Sequence, residues 1–374
     1  MSDQLGTAIV GAGFIGAVHA RAARRAGARV VAVGASTPER SAEAAAKLGA
    51  QRALDGSEQL DADDIDVVHV CTPTMAHEVY VRAALDAGKH VICEKPLAAE
   101  ASVAETLTEL AKTAGVVAAV PFVYRFHPLV REARHRVSSG EAGVVHLIHG
   151  SYLQDWLSRP SDWSWRIDPA AGGASRAFAD IGCHWFDLVE FVSGHRVARL
   201  AAQFGVAYDR RLAAENVTAF DGTHRGTPTE VRTEDTATVL FETDRGAHGS
   251  AVISQVSNGR KNRLWFEIDG TYEALVFDQE QPDRIWLGRR EMSVDLRRDP
   301  AVLSPAAARL NILPAGHPQG WGDCFDLFVA DTYQTIFGDR PDGLPTFSDG
   351  LRSARLVDAV LESVEQRQWV EVPS

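Results

Sequence analysis

Two short runs hold most of the residues able to do chemistry. At 94–96 the chain reads Glu94-Lys95-Pro96 directly after the apolar run His90–Cys93, and at 180–187 it reads Asp180-Ile181-Gly182-Cys183-His184-Trp185-Phe186-Asp187. An ammonium beside a carboxylate at a strand end can bind a hydroxyl or carbonyl oxygen and polarise it. The plainer reading is a Glu94–Lys95 surface pair. A helix starting near Asp180 puts Asp180 and His184 at i and i+4 on one face, where a carboxylate can orient an imidazole for proton transfer near neutral pH. In isolation such a pair is more often an N-cap and a satisfied core histidine. Cys183, His184 and Asp187 lack a second ligand pair, so no metal site is expected there.

A third run, G-A-G-F-I-G at 11–16, follows the apolar stretch Ala8–Val10. Gly11 permits a tight turn, Gly13 lets the backbone approach a pyrophosphate, and Gly16 lets helix pack on strand. The phosphates would lie on the helix N-terminus near Phe14 and Ile15. Glycine is common here, at 31 of 374 residues, so the spacing alone is weak. A preceding strand and the helix formers Ala17–Ala26 after it strengthen the dinucleotide reading. In a parallel sheet ligands gather at the carboxyl ends of the strands. Thr72 and Pro73 of Cys71-Thr72-Pro73-Thr74 end one predicted strand, and Glu94-Lys95 end the next, so both face the expected cofactor cleft.

Between these runs, residues 155–166 hold Trp156, Trp163 and Trp165 with Arg166, three of the eight tryptophans in one polar stretch. Aromatic faces beside Asp and Arg can stack on a sugar ring and bond its hydroxyls. An aromatic-anchored loop or a subunit contact reads equally well. His317, in His317-Pro318-Gln319-Gly320-Trp321, is a weaker candidate of the same kind.

The elements that must position these residues fall into two regimes. From residue 7 to about 122, apolar runs (Thr7–Val10, Val30–Val33, Val67–Cys71, His90–Cys93, Val117–Val120) alternate with helical patterns at Pro38–Leu48, His77–Ala87 and Ser102–Ala114, which predicts a doubly wound parallel sheet. Beyond residue 125, partly alternating runs at Val144–Leu153, Thr236–Glu242, His248–Val256, Leu264–Asp269 and Ala274–Phe277 predict an antiparallel sheet. Helices are expected at Pro128–Val137, Gly182–Val192, Trp321–Phe337 and Asp349–Gln368, and a long loop at Ala207–Glu234. The resulting division is 1–124 for the dinucleotide and 125–374 for substrate binding and oligomerisation. A net charge of −12 without basic blocks argues against nucleic-acid or anionic-membrane partners. No run approaches a membrane span and the N-terminus lacks signal-peptide regions, so a cytoplasmic location is expected. The four scattered cysteines fit reduced, buried thiols, which leaves the sequon Asn216-Val217-Thr218 without meaning.

Taken together, G-A-G-F-I-G, C-T-P-T with His77 after it, E-K-P, Tyr124-Arg125-Phe126-His127-Pro128 and Gly172-Gly173 before D-I-G-C-H-W-F-D resemble the Gfo/Idh/MocA family of sugar and cyclitol oxidoreductases. The resemblance implies an N-terminal Rossmann domain, then an α+β domain with a large open, mostly antiparallel sheet whose exposed face commonly joins homodimers or homotetramers. It implies Lys95, Asp180 and His184 as the catalytic set, with Tyr124 and Arg125 lining the junction of cofactor and substrate. The expected reaction passes hydride between NAD or NADP and a secondary carbinol carbon of a sugar, glycoside or cyclitol. The chain departs from many NAD-using members in carrying no carboxylate at Ala35, the end of the second strand. Ser36, Thr37 and Arg40 could bind a 2′-phosphate there, a slight lean to NADP; Arg40 could equally be a solvated helix residue. The alternatives are a non-sugar substrate, such as an aromatic dihydrodiol or a cyclic imine, and a non-catalytic nucleotide sensor.

Overall fold

A computed structural model describes residues 4–213 and 226–374. It divides into two compact units, the first formed by residues 1–121, 170–173 and 325–354, the second by 122–169, 174–324 and 355–374. The Asn216 sequon and the middle of the expected Ala207–Glu234 loop lie outside the described residues.

The first unit carries a six-stranded parallel sheet in the order β3-β2-β1-β4-β5-β6. Its strands are β1 (Gly6–Val10), β2 (Arg29–Gly34), β3 (Arg52–Ala53), β4 (Val67–Val70), β5 (His90–Cys93) and β6 (Ala118–Ala119). The helices between them are α1 (Phe14–Arg25), α2 (Pro38–Leu48), α3 (His77–Asp86) and α4 (Ala101–Ala114). β1 and β4 are buried along their whole length, as strands covered on both faces must be. α2 starts on a Thr37 cap with Pro38 in its first turn and stops at Gly49 in the left-handed conformation. The returning segment 325–354 is bound into this unit: Ala119 bridges Thr346, Val120 N–H donates to the Pro345 carbonyl (3.2 Å), and the Thr7 and Tyr333 hydroxyls lie 3.0 Å apart.

The second unit opens with α5 (Pro128–Ser138) and β7 (Val145–Leu153), then α6 (Pro169–Gly172), of which only Pro169 belongs to this unit, and α7 (Cys183–Ser193). Next come β8 (Val197–Gly205), β9 (Arg210–Ala213), β10 (Thr227–Glu230), β11 (Thr236–Thr243), β12 (His248–Ser254), β13 (Arg263–Gly270), β14 (Ala274–Asp278), β15 (Arg284–Gly288) and β16 (Ser293–Arg297). The chain ends through α8 (Pro305–Ala308), α9 (Trp321–Ile336), α10 (Phe347–Gln366) and β17 (Val370–Glu371). Nine strands form one sheet, ordered β16-β15-β14-β13-β7-β12-β11-β8-β17, antiparallel except for the parallel pair β7 and β12. Its inner face (Ile148, Tyr152, Phe241, Phe266, Phe277) packs on α5 and on α7, whose Trp185, Phe186 and Leu188 are buried. Helix α7 is apolar almost all round and therefore enclosed.

Two expectations need correction. The polar stretch read as a loop contributes β9 and β10, an antiparallel ribbon pairing Thr229 with Arg211. The helix expected from Gly182 is preceded by one π-helical turn, Phe178–Gly182, which contains Asp180. A Cβ on Gly182 would lie 2.7 Å from the Phe178 ring, so a larger residue in this wide turn would have to displace that ring. Among the described residues no helix is long and apolar enough to cross a membrane. All four cysteines are buried thiols.

Candidate active site

In the first unit, the predicted cofactor residues collect at the carboxyl ends of β1, β2, β4 and β5. Gly11 has φ +101°, and a Cβ there would sit 2.4 Å from the Cys71 carbonyl group. A Cβ on Gly16 would lie 2.0 Å from the Gly11 oxygen, whereas one on Gly13 would meet nothing within 4 Å among the described residues. Gly13 thus opens the N-terminus of α1, where Phe14 is exposed, toward a ligand, and the buried Thr72 hydroxyl has no hydrogen-bond partner among the described residues. An open glycine turn, a helix N-terminus and an orphan hydroxyl fit a dinucleotide.

At the end of β2, a cleft is lined by Ala35, Ser36, Thr37, Ser41, Asp55 and Tyr80. Arg40 donates from its guanidinium to Ser36 Oγ (3.1 Å), and its N–H donates to Thr37 Oγ1 (3.3 Å). His77 is turned inward, with its ring nitrogens 3.0 Å from the Pro96 carbonyl and 2.9 Å from the Thr72 carbonyl, and its single N–H as a neutral ring donates to one of them. Glu94 is buried and half-buried Lys95 follows it, with the Lys95 N–H donating to Glu94 Oε2 (3.1 Å).

In the second unit, Asp180 is fixed from two sides. Its Oδ1 accepts from Arg166 Nε (3.0 Å) and its Oδ2 from Gln255 Nε2 (2.9 Å). Two buried polar atoms next to it, Arg166 Nη1 and Gln255 Oε1, have no hydrogen-bond partner among the described residues. His184, in the first turn of α7, is edge-on to Tyr124 (5.1 Å between centroids) and Phe122 (5.8 Å). Tyr124 Oη lies 2.5 Å from Tyr152 Oη, Tyr152 donates to Asn262 Oδ1 (2.7 Å), and Asn262 Nδ2 donates back to Tyr124 (3.1 Å). Burial and the neighbouring Tyr124 and Asp180 push the Tyr152 phenol well above its ordinary value, so it stays protonated and can donate.

The tryptophan segment divides by role. Trp156 and Trp163 pack on the small cluster of Leu157, Ile167 and Val231, as anchors of a loop, while Arg166 stacks over Trp165 at 4.5 Å and reaches Asp180. Arg211 gathers the same loop through the carbonyls of Leu157 (2.8 Å) and Arg159 (2.8 Å) and binds Asp235 (2.7 Å). Asp235 also takes Arg176, and Glu234 accepts from the N–H groups of Arg176 (3.0 Å) and Phe178 (2.9 Å) at the head of the π turn. Burial would raise the Asp235 carboxyl; the guanidiniums of Arg176 and Arg211 outweigh it and hold the group below its ordinary value.

Two candidates lie elsewhere. Arg125 is buried in a pair with Asp187 (Nε to Oδ2, 2.9 Å), and exposed His317 has its carbonyl taken by Arg298. Gln255, Tyr152, Asn262 and the Asp235 node had no signal in the sequence, since lone amides and buried ion pairs have no spacing signature.

Residues 5–122 match the model of an oxidoreductase family with an NAD-binding Rossmann fold, and residues 130–276 match the GFO/IDH/MocA C-terminal domain. The chain belongs to the Gfo/Idh/MocA family. It is 31% identical to levoglucosan dehydrogenase of Pseudarthrobacter phenanthrenivorans, covering 99% of each chain, and 24% identical to inositol 2-dehydrogenase of Rhizobium meliloti, covering 97% of this chain and 98% of the relative. A solved structure of levoglucosan dehydrogenase in complex with NADH and levoglucosan superposes with a TM-score of 0.89 at 27% identity over the full length of both chains. The Rossmann unit, the open sheet and the NAD-type cofactor of the family thus agree with what the sequence implied.

Proposed function

We propose that this member of the family is an NAD(P)-dependent dehydrogenase of a secondary hydroxyl on a sugar, glycoside or cyclitol. The observation that carries the substrate class is the pair of orphan atoms around Asp180: a buried donor, Arg166 Nη1, and a buried acceptor, Gln255 Oε1, are the groups that polyol hydroxyls satisfy. The relatives named for levoglucosan and inositol support it.

The nicotinamide ring supplies the hydride acceptor or donor. Gly11, Gly13, Phe14, Ile15 and Gly16 would hold the pyrophosphate, Thr72 and Pro73 would contact the cofactor from the next strand end, and Ser36, Thr37 and Arg40 would hold the adenosine ribose. With no carboxylate at Ala35, this rim accepts a 2′-phosphate, and NADP is slightly favoured. Lys95 polarises the reacting oxygen, His184 exchanges the hydroxyl proton, and Asp180, clamped by Arg166 and Gln255, orients the pair. We assign the dinucleotide to residues 1–124, whose fold is completed by 325–354, and the substrate to the rest of 125–374. The open face of the nine-stranded sheet presents Leu240, Val252, Trp286 and Leu147, each more than a third exposed, and we assign it to contact with further copies of the chain. Buried thiols fit a cytoplasmic setting.

The test is absorbance at 340 nm with NAD⁺ or NADP⁺ against hexoses, anhydrosugars, glycosides, inositols and aromatic diols. Reduction with polyols supports the reading. Reduction with aromatic diols alone, or cofactor binding without turnover on any substrate, refutes it.

A further inference from the structure

Within the first unit a line of buried polar side chains runs to the E-K-P motif. Thr7 Oγ1 lies 3.0 Å from Tyr333 Oη, Tyr333 Oη 2.9 Å from His69 Nε2, His69 Nδ1 2.8 Å from His19 Nδ1, and His19 Nε2 3.0 Å from Glu94 Oε1. The other carboxylate oxygen of Glu94 accepts from the Lys95 N–H. Thr7, His19 and His69 have no exposure, Tyr333 is 3% exposed and Glu94 7%. The Phe325 ring stands edge-on to His19 at 4.8 Å and seals the line. Five polar side chains in an otherwise apolar sheet core are costly to desolvate, and a plain Rossmann core needs none of them.

We propose that Glu94 is the positioning carboxylate of Lys95 and that His19, His69 and Tyr333 hold it there as one directed chain of hydrogen bonds. The inference rests on the assignment of Lys95 to the reaction. A carboxylate only accepts, so His19 donates from Nε2, and with one proton on each ring it accepts at Nδ1. His69 then donates from Nδ1 and accepts at Nε2, Tyr333 donates to His69, and Thr7 donates to Tyr333. The line ends at Thr7, which is enclosed, so it is no exit for the reaction's proton. What it does is hold a negative carboxylate in one orientation beside the lysine. Burial alone would raise the Glu94 carboxyl, but His19 and Lys95 outweigh it and keep the group ionised at neutral pH. The other titratable groups facing Glu94 stay uncharged there: His77 on α3 is lowered chiefly by burial, and the Cys71 and Cys93 thiols are pushed up by burial and by Glu94. His69 is also pushed well down, chiefly by burial.

The test uses the full chain with a sugar turned over in the panel above and compares His69→Leu, His69→Gln, Tyr333→Phe and Lys95→Ala. In His69→Leu, kcat falls about 10–100-fold, the cost of a reacting group displaced by about 1 Å. KM for sugar and cofactor stay within about threefold, and the acid limb of the pH profile moves up because Glu94 protonates more easily. His69→Gln, which keeps a donor and an acceptor, restores part of kcat, and Tyr333→Phe shifts the profile the same way by less. Nitrogen NMR of histidine-labelled protein reports Nε2–H for His19 and Nδ1–H for His69. A His69→Leu enzyme with wild-type kcat and pH profile, or one that loses kcat while its pH limbs stay fixed, overturns the proposal; so does the opposite tautomer pair. If His69→Leu does not fold, Tyr333→Phe decides on the same readouts. Turnover retained by Lys95→Ala removes the catalytic reading, and this proposal with it, whereas an inactive Lys95→Ala beside a normal His69→Leu refutes the chain alone.

Discussion

His127 gives a stability prediction whose size follows from the structure. Its ring is fully enclosed, near-parallel to Tyr124 (18°, 6.1 Å between centroids) and tilted on Phe277 at 5.3 Å, and neither ring nitrogen has a hydrogen-bond partner among the described residues. Burial lowers it to about 4, against a smaller upward pull from Asp283. The folded protein therefore keeps His127 neutral down to about pH 4, whereas the unfolded chain protonates it near 6.5. Unfolding takes up a proton in this window, so stability is complete above pH 6.5 and is lost as pH falls toward 4. One pKa unit corresponds to about 1.4 kcal/mol, and between pH 7 and pH 5 the loss from this residue is about 2 kcal/mol. Phenylalanine fits the same aromatic stack, forfeits no hydrogen bond and cannot protonate. His127→Phe should thus have nearly the wild-type Tm at pH 7 but lose less on moving to pH 5, by about 4–8 °C for a cooperative unit of about 150–250 residues. Differential scanning fluorimetry at both pH values gives the comparison, and every other acid-sensitive group, His69 included, cancels between the proteins. Equal losses of Tm in both would mean that His127 is solvated or paired, and the reasoning fails.

Other expectations follow from the site. Gln255→Leu removes one clamp on Asp180 and the orphan acceptor, so kcat/KM for the sugar should fall about 10–100-fold while NAD(P)H binding, followed by fluorescence, stays unchanged. Ala35→Asp places a carboxylate at the ribose rim, and the ratio of kcat/KM for NADP⁺ to that for NAD⁺ should drop at least about tenfold. The double change Leu240→Lys and Val252→Lys on the open sheet face should yield monomers in light scattering with secondary structure intact; unchanged mass would move the interface elsewhere. His184→Ala should abolish turnover but leave cofactor binding at the wild-type level, and near-normal kcat would remove His184 from the reaction.

Five of the six Rossmann strands were legible because strands covered on both faces read as unbroken apolar runs, and β5 matches its expected bounds, whereas the half-buried two-residue edge strand β3 was not read. Legibility failed where tertiary pairing rather than pattern makes the element. β8, β15 and β16 are partly exposed and mix polar with apolar residues, and β9 and β10 form by pairing and by the long-range anchoring of Arg211, across residues rich in Arg and Thr. At the site, motif residues with distinctive spacing, such as Lys95, Asp180 and His184, stood out. Gln255 and Asn262 did not, because an amide acquires its role from whatever carboxylate or phenol the fold carries to it. The π turn was invisible too: Gly182 was read as the start of a regular helix, and the closeness of the Phe178 ring to this glycine emerges only in the fold.

The composition of the first unit bears on how the protein is made. Its sheet needs residues 325–354, which supply the Tyr333 hydroxyl to His69 and the edge bridge from Thr346 to Ala119. At about 5–20 residues per second, a ribosome releases the segment up to Pro121 about 10–40 s before that segment follows. During that interval the nascent Rossmann half has an open edge and an unmet histidine acceptor, with the whole second unit still being synthesised. A fragment ending near residue 121 would remain in that unfinished state, so this dinucleotide fold is not a portable module that can be cut out or grafted by sequence position. Gene fusions and truncations of the chain must respect its last fifty residues as much as its first hundred and twenty.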